Sequence, residues 1–191
     1  MKNYVGLCIS VVALIFVGLG CNKLAAVGSV NLFEGDNAAK AASAIKSKVG
    51  SDKVNVISVE LRKSEMVITI QSPKNPKDID KYTYKNGTVT GPEPVQVVSM
   101  GDLNMTGDKY DTTDIGDIGF AAVPATVKQA IEASQLENAQ VDLISMDDEV
   151  PDGGTIGKSR LVLKWRLFVE SPRGRKDFWA DKNGKLNPKG F

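Results

Sequence analysis

The 191-residue chain contains no histidine. Imidazole is the side chain best suited to acid–base work near neutral pH and the commonest metal ligand, so histidine-based triads, general bases and metal sites are all excluded. Cysteine is nearly as scarce, with Cys8 and Cys21 the only two. Cys8 sits inside an apolar run at the start of the chain. Without that run one thiol remains, and one thiol makes neither an internal disulfide nor a zinc–sulfur centre. An excess of either charge is lacking too. Lys2 is the only charged residue in 1–20, and the rest carries 23 basic and 23 acidic side chains. Such a surface exerts no general pull on nucleic acid or anionic lipid, so no nucleic-acid partner is expected. No apolar run reaches the roughly 20 residues that cross a bilayer. Only carboxylates, Lys, Tyr and Ser are left for catalysis, and neither enzymatic activity nor a cofactor is expected.

What is present begins with an address. Lys2 forms a short basic start, and Val5 to Val17 is apolar except at Gly6 and Ser10. Small residues follow, up to Gly18-Leu19-Gly20-Cys21. A basic start, a short apolar stretch and small residues before a break describe an export signal rather than a membrane span. With a cysteine directly after Gly20, the segment resembles a bacterial lipoprotein signal. The resemblance implies cleavage before Cys21, acylation of that residue and a membrane anchor in the cell envelope, facing the periplasm from the outer membrane if the cell has two. Each buried CH₂ of such a chain contributes about 0.8 kcal/mol. It also gives the remaining thiol a use.

The rest of the chain says nearly the same thing twice. Val54-Asn55-Val56-Ile57-Ser58-Val59 is answered by Val141-Asp142-Leu143-Ile144-Ser145-Met146. Ile70-Gln71-Ser72-Pro73-Lys74 is answered by Val169-Glu170-Ser171-Pro172-Arg173, and Lys85-Asn86-Gly87-Thr88-Val89 by Lys182-Asn183-Gly184-Lys185-Leu186. Three matched blocks in one order point to two copies of a small module. With 42% hydrophobic and 25% charged residues the composition is that of a globular protein.

Within the first copy, Ala41, Ala42, Ile45 and Val49 form a helical stripe that Asp36 or Asn37 is placed to cap and Gly50 to end. Strands follow at Lys53–Leu61, with Val54, Val56 and Ser58 on one face, at Met66–Gln71, and at Lys81–Lys85 before an Asn-Gly turn. In the second, Pro124 suits a first helical turn and Val127, Ile131 and Leu136 mark the stripe. Val141–Met146 and Arg160–Glu170 are strands separated by a longer loop, Asp147–Ser159. The expected fold class is therefore α+β, two tandem antiparallel helix-plus-three-strand modules (αβββ repeated) after a signal peptide. The boundaries are 1–20 signal, 21–36 tether, 37–98 first module, 99–122 Asp/Gly-rich linker and 123–191 second module. Units of this size have marginal cores alone, so the copies are expected to pack together, in a monomer.

The run Val123 to Ile131, the strand Val141 to Met146 and the run Phe178 to Leu186 resemble the PepSY-like module, as does Tyr82 to Val89 in the first copy. The tandem arrangement also resembles the β-lactamase-inhibitory proteins. The resemblance implies a helix packed on a small antiparallel sheet, and a non-catalytic export-compartment module that inhibits or holds other proteins.

Motifs with chemical overtones weigh little beside this. Gly153-Gly154-Thr155-Ile156-Gly157-Lys158-Ser159 lacks the spacing of a phosphate loop and leads into a strand, so no helix N-terminus meets a phosphate. Ser43-Ala44-Ile45-Lys46 has the Ser-x-x-Lys spacing of some acyl-enzyme hydrolases without their partner motifs. Asp102, Asp108, Asp111, Asp114 and Asp117 offer oxygens to Ca²⁺, but not at the alternating positions of a calcium loop; the same discount applies to Asp147, Asp148 and Glu149. A small-ligand or Ca²⁺-binding lipoprotein is the alternative reading. Arg173, Arg175 and Lys176 make a basic patch close to Phe178 and Trp179, which point to opposite sides of their strand. Leu161, Leu163, Trp165, Leu167 and Val169 share one strand face, leaving Lys164, Arg166 and Phe168 on the other with Val162 and Glu170. Aromatics with arginine dominate protein interfaces. Lys164, Arg166, Phe168 and Trp179 are accordingly the expected partner-binding residues for an envelope protein, and Cys21 the lipidation site.

Overall fold

The computed structural model describes residues 30–96, 106–149 and 162–187. The signal segment, Cys21 and the glycine-rich loop Gly153–Ser159 lie outside the described residues. The fold is α+β. Helices α1 (Asn37–Val49) and α2 (Val123–Ser134) pack on one face of a nine-stranded antiparallel sheet. Its strands are β1 (Asn55–Leu61), β2 (Glu65–Gln71), β3 (Ile79–Lys85), β4 (Thr88–Pro94), β5 (Thr113–Asp114), β6 (Gln140–Glu149), β7 (Val162–Ser171), β8 (Gly174–Ala180) and β9 (Leu186–Asn187). They run β4-β3-β2-β1-β6-β7-β8-β9 in space, with β5 also paired to β1.

Helix α1 buries Ala38, Ala41, Ala42 and Ile45, a spacing that keeps one side of a 3.6-residue helix against the sheet. It ends where Gly50 turns left-handed and its N–H donates to the Lys46 carbonyl. The expected side-chain cap does not form. The Asp36 carboxylate lies 2.8 Å from Lys40 Nζ one turn along, which holds its pKa below the ordinary value, while Asn37 donates to the Asn31 carbonyl. Helix α2 differs from its expected stripe. It buries Val123, Thr126, Ala130 and Ser134, with Val127 and Ile131 only half-buried. Two of its core positions are hydroxyl residues, which an apolar pattern passes over. They are tolerated because Thr126 Oγ1 donates to Gly184 O at 2.7 Å and Ser134 Oγ to Ile131 O at 2.7 Å.

The strands alternate, with two departures. Bulges between Val56 and Ser58 in β1 and between Val141 and Leu143 in β6 reset the side-chain parity. Val56 and Val59 therefore both face the core, where strict alternation separates them. The second departure is a fourth strand after α1. Strand β4 carries Pro92 and Pro94, which mute its sequence signal but are accepted on a sheet edge, where a missing N–H breaks no ladder. A core row crosses the sheet in register through Tyr82, Ile68, Val59, Met146, Trp165, Ala180 and Leu186. Each wholly buried aliphatic in it contributes about 1.5–3 kcal/mol.

The described part of the Asp/Gly-rich stretch is folded onto this sheet. Gly107 N–H donates to the Lys77 carbonyl, β5 pairs with Asn55 and Val56, and Ile115 and Ile118 are buried. Near the other end, Leu32 is buried and its N–H donates to the Lys63 carbonyl at 2.6 Å.

Candidate functional site

Because both helices cover the same side, the opposite side of the sheet has no helix on it among the described residues. One row on that open side runs in register through Thr90, Thr83, Val67, Glu60, Ser145, Arg166, Trp179 and Asn187. At about 4.8 Å between strands it spans roughly 34 Å. Its two ends differ in chemistry: Thr90, Thr83 and Val67 are small, while Arg166 and Trp179 are large.

At the large end the residues form one connected cluster. Arg166 lies directly across from Trp179, and Phe168 from Asp177. The Arg166 guanidinium carbon stands 4.7 Å from the Phe168 ring centre and 5.1 Å from that of Trp179. Its Nη2 is 2.5 Å from the Asp177 carboxylate. The Arg175 guanidinium carbon also lies over Phe168, 4.4 Å from its ring centre, and Arg175 reaches both Glu170 and Asp177. The order Trp179, Arg166, Phe168, Arg175 is an alternating ladder of rings and guanidiniums with two carboxylates along it. Cation–π contacts of this kind contribute about 0.5–1 kcal/mol at exposed sites. Leu143, paired with Phe168, adds an aliphatic neighbour on β6.

Three of the four expected partner-binding residues, Arg166, Phe168 and Trp179, are brought together here, all half-buried. Lys164 is on the same face of β7, two residues from Arg166. Phe178 points the other way and packs against the core beside Leu167. The expected basic patch divides across the sheet. Arg175 joins the ladder, whereas Lys176 donates to the Ser134 carbonyl at the end of α2. Sequence reasoning missed Asp177 and Leu143, since cross-strand partners depend on register rather than on neighbouring residues.

A crevice of about 420 Å³ opens beside this face, between the β1–β2 turn and the outer ends of β6 and β7. Arg62 and Lys63 line one wall, and Gln140, Asp142, Glu170 and Ser171 the other. Arg62 pairs with Asp142 at 2.9 Å and Lys63 donates to Gln140 at 2.8 Å.

The described acidic residues of the Asp-rich stretch, Asp108, Asp111, Asp114 and Asp117, form no metal-binding cluster, and Asp102 lies outside the described residues. No group of three or more metal-ligating side chains occurs among the described residues. Asp114 accepts from the Val54 and Gly116 backbone N–H groups, and Asp108 from the Thr106 hydroxyl, which lowers its pKa. Ser43 and Lys46 line a smaller crevice of about 230 Å³ between α1 and residues 115–121. No helix among the described residues is long and apolar enough to cross a membrane. Comparison with protein-family models, with curated proteins and with solved structures finds no match to this chain.

Proposed function

We propose that the chain is a lipid-anchored envelope lipoprotein of two PepSY-like modules, which binds or inhibits a protein partner through the open sheet face without catalysing a reaction. The Arg–aromatic ladder on β7 and β8 is the observation that carries this reading. Tryptophan and arginine are the residues most enriched where binding energy concentrates, and a flat face able to exclude water around them is the setting in which they count.

The duplication has its own support. From α1 to β4 and from α2 to β9 the chain follows the same element order, helix then four strands, with β5 in the stretch between them, and the two sets meet through β1 and β6. In that pairing Val59 lies opposite Met146. The matched blocks make these two residues counterparts, so a two-fold axis normal to the sheet relates the halves at this point.

Placing a photo-reactive residue at Phe168 and, as a control, at Glu132 on the exposed side of α2 tests the binding face in envelope extract. A single protein should be captured from position 168, not from 132, and capture should fall at least about tenfold with Arg166→Ala or Trp179→Ala, the ~1.4 kcal/mol or more expected of a central interface residue. Equal capture at both positions removes the face. The anchor is tested separately: labelled fatty acid should enter the wild-type chain and not Cys21→Ser, and label in both would refute acylation at that residue.

A further inference from the structure

We infer that the protein partner of the open face is a second copy of this chain, laid face to face so that the large end of one copy covers the small end of the other. Resting on the binding-face reading above, this pairing replaces the monomer expected from the sequence.

The order of the strands sets how two such faces meet. Four strands lie on each side of the β1–β6 seam, so overlap is greatest when the two seams coincide. Sheets packed face to face keep their strands within about 30° of each other and stand about 10 Å apart. A closed pair then has its two-fold axis between the sheets, either across the strands or along them. An axis across the strands sets each strand on its own copy. Overlaying the row that way puts Arg166 against Arg166, Glu60 against Glu60 and Trp179 against Trp179, so like charges and equal bulk oppose. An axis along the strands reverses their order instead, setting β2 on β7 and β3 on β8 of the other copy.

With that reversal the row joins large to small and acceptor to donor. Thr83 lies against Trp179 of the other copy, Val67 against Arg166, and the Glu60 carboxylate against the Ser145 hydroxyl. In the neighbouring row Lys85 and Glu65 are paired within one chain at 3.6 Å, as Arg166 and Asp177 are at 2.5 Å. Stacked, Lys85 stands over Asp177 of the other copy. Glu65 stands over Phe168, the ring that carries the Arg166 and Arg175 guanidiniums, so charges of opposite sign alternate from copy to copy. Two-fold symmetry forms each of these contacts twice. Three rows at ordinary strand spacings make a patch of roughly 34 by 20 Å, so two copies bury about 1,400 Å² in all, the size of a standard stable protein interface.

Sedimentation equilibrium of the full chain in mild detergent tests the pairing, since any association through the anchor is common to all variants. The wild type should form reversible dimers. Val67→Arg sets a cation on Arg166 of the other copy, yet lies three strands from its own ladder, about 14 Å away. This change and Arg166→Ala should each weaken the dimer at least about tenfold. Far-UV circular dichroism equal to that of the wild type excludes misfolding as the cause. Spin labels at Thr90, at opposite ends of the stacked faces, should stand about 35 Å apart. A separation under about 15 Å would mean edge pairing through β4. That result, a chain monomeric at every concentration, or a dimer indifferent to Val67→Arg overturns the proposal. Photo-capture at position 168 keeps the two readings apart. Capture of a second copy supports both, and neither capture nor dimer removes both. Capture of a different envelope protein by a monomeric chain overturns the self-pairing and leaves the binding face standing.

Discussion

Arg166 stacks on two rings while Asp177 takes its guanidinium, so a partner of the proposed kind would meet a side chain already held in place. Ordering such a side chain at an interface otherwise costs about 0.5–1.5 kcal/mol. Asp177→Asn, which keeps the shape and removes the charge, should therefore weaken partner affinity about threefold to tenfold, with stability changed by under ~1 kcal/mol because the ion pair is partly exposed. Calorimetry against the captured partner and urea denaturation check the two halves of this prediction; lost stability with unchanged affinity would refute it. At this scale the sequence was half legible. Alternation along one strand places Lys164, Arg166 and Phe168 together whatever lies next to that strand. It says nothing of Asp177 or Leu143, because their proximity follows from how β6, β7 and β8 are registered. Lys176 shows the converse, a neighbour of Arg175 in sequence that spends its charge on the far side of the sheet.

Two turns of the same Asn-Gly type make the corresponding point for elements. Gly87 and Gly184 both have φ of +81°. A Cβ on Gly87 meets nothing within 4 Å, whereas one on Gly184 falls 2.5 Å from Thr126 Oγ1 and 2.9 Å from Ala122 Cβ. Gly87→Ala should cost only the left-handed backbone strain, about 1–2 kcal/mol. Gly184→Ala adds overpacking against α2, a further ~1–3 kcal/mol. Equal midpoint shifts in urea denaturation would refute the difference. The turns themselves were readable from Asn-Gly, since glycine accepts positive φ freely, and asparagine, which adopts it at Asn86 but not at Asn183, does so more readily than most. That only the second turn seats a helix was not, because the seat is made by Thr126, a hydroxyl residue lying off the apolar stripe. Strand β4 escaped for a related reason. Proline and glycine read as a break in isolation, and only an edge position makes them compatible with a strand.

For the whole molecule, the buried apolar residues of both halves belong to one core. Trp165 and Trp179 both lie in the second half, which makes fluorescence a reporter of that half alone. Ile68→Ala, at a position with no solvent exposure in the first half, should destabilise by about 2–5 kcal/mol. In a cooperative unit the urea midpoint followed by tryptophan fluorescence moves with that followed by far-UV circular dichroism. A fluorescence midpoint that stays put would show that the halves unfold separately. The composition and the periodicities carried the α+β class, and the small size of each half the expectation that they pack together; which strands join was not in the pattern, because a strand buried on one face reads alike whichever neighbour it pairs with.

The meeting of Val59 with Met146 has a further consequence under the proposed duplication. A residue opposite its own counterpart is the signature of an isologous contact, the kind that closes a two-fold homodimer. A lone module would present β1 as an unpaired edge, and its simplest satisfied state is a pair of identical chains joined along that edge. The tandem chain then corresponds to such a dimer made covalent. Once fused, its two faces are no longer bound to be identical, so one could acquire tryptophan and arginine while the other kept threonine.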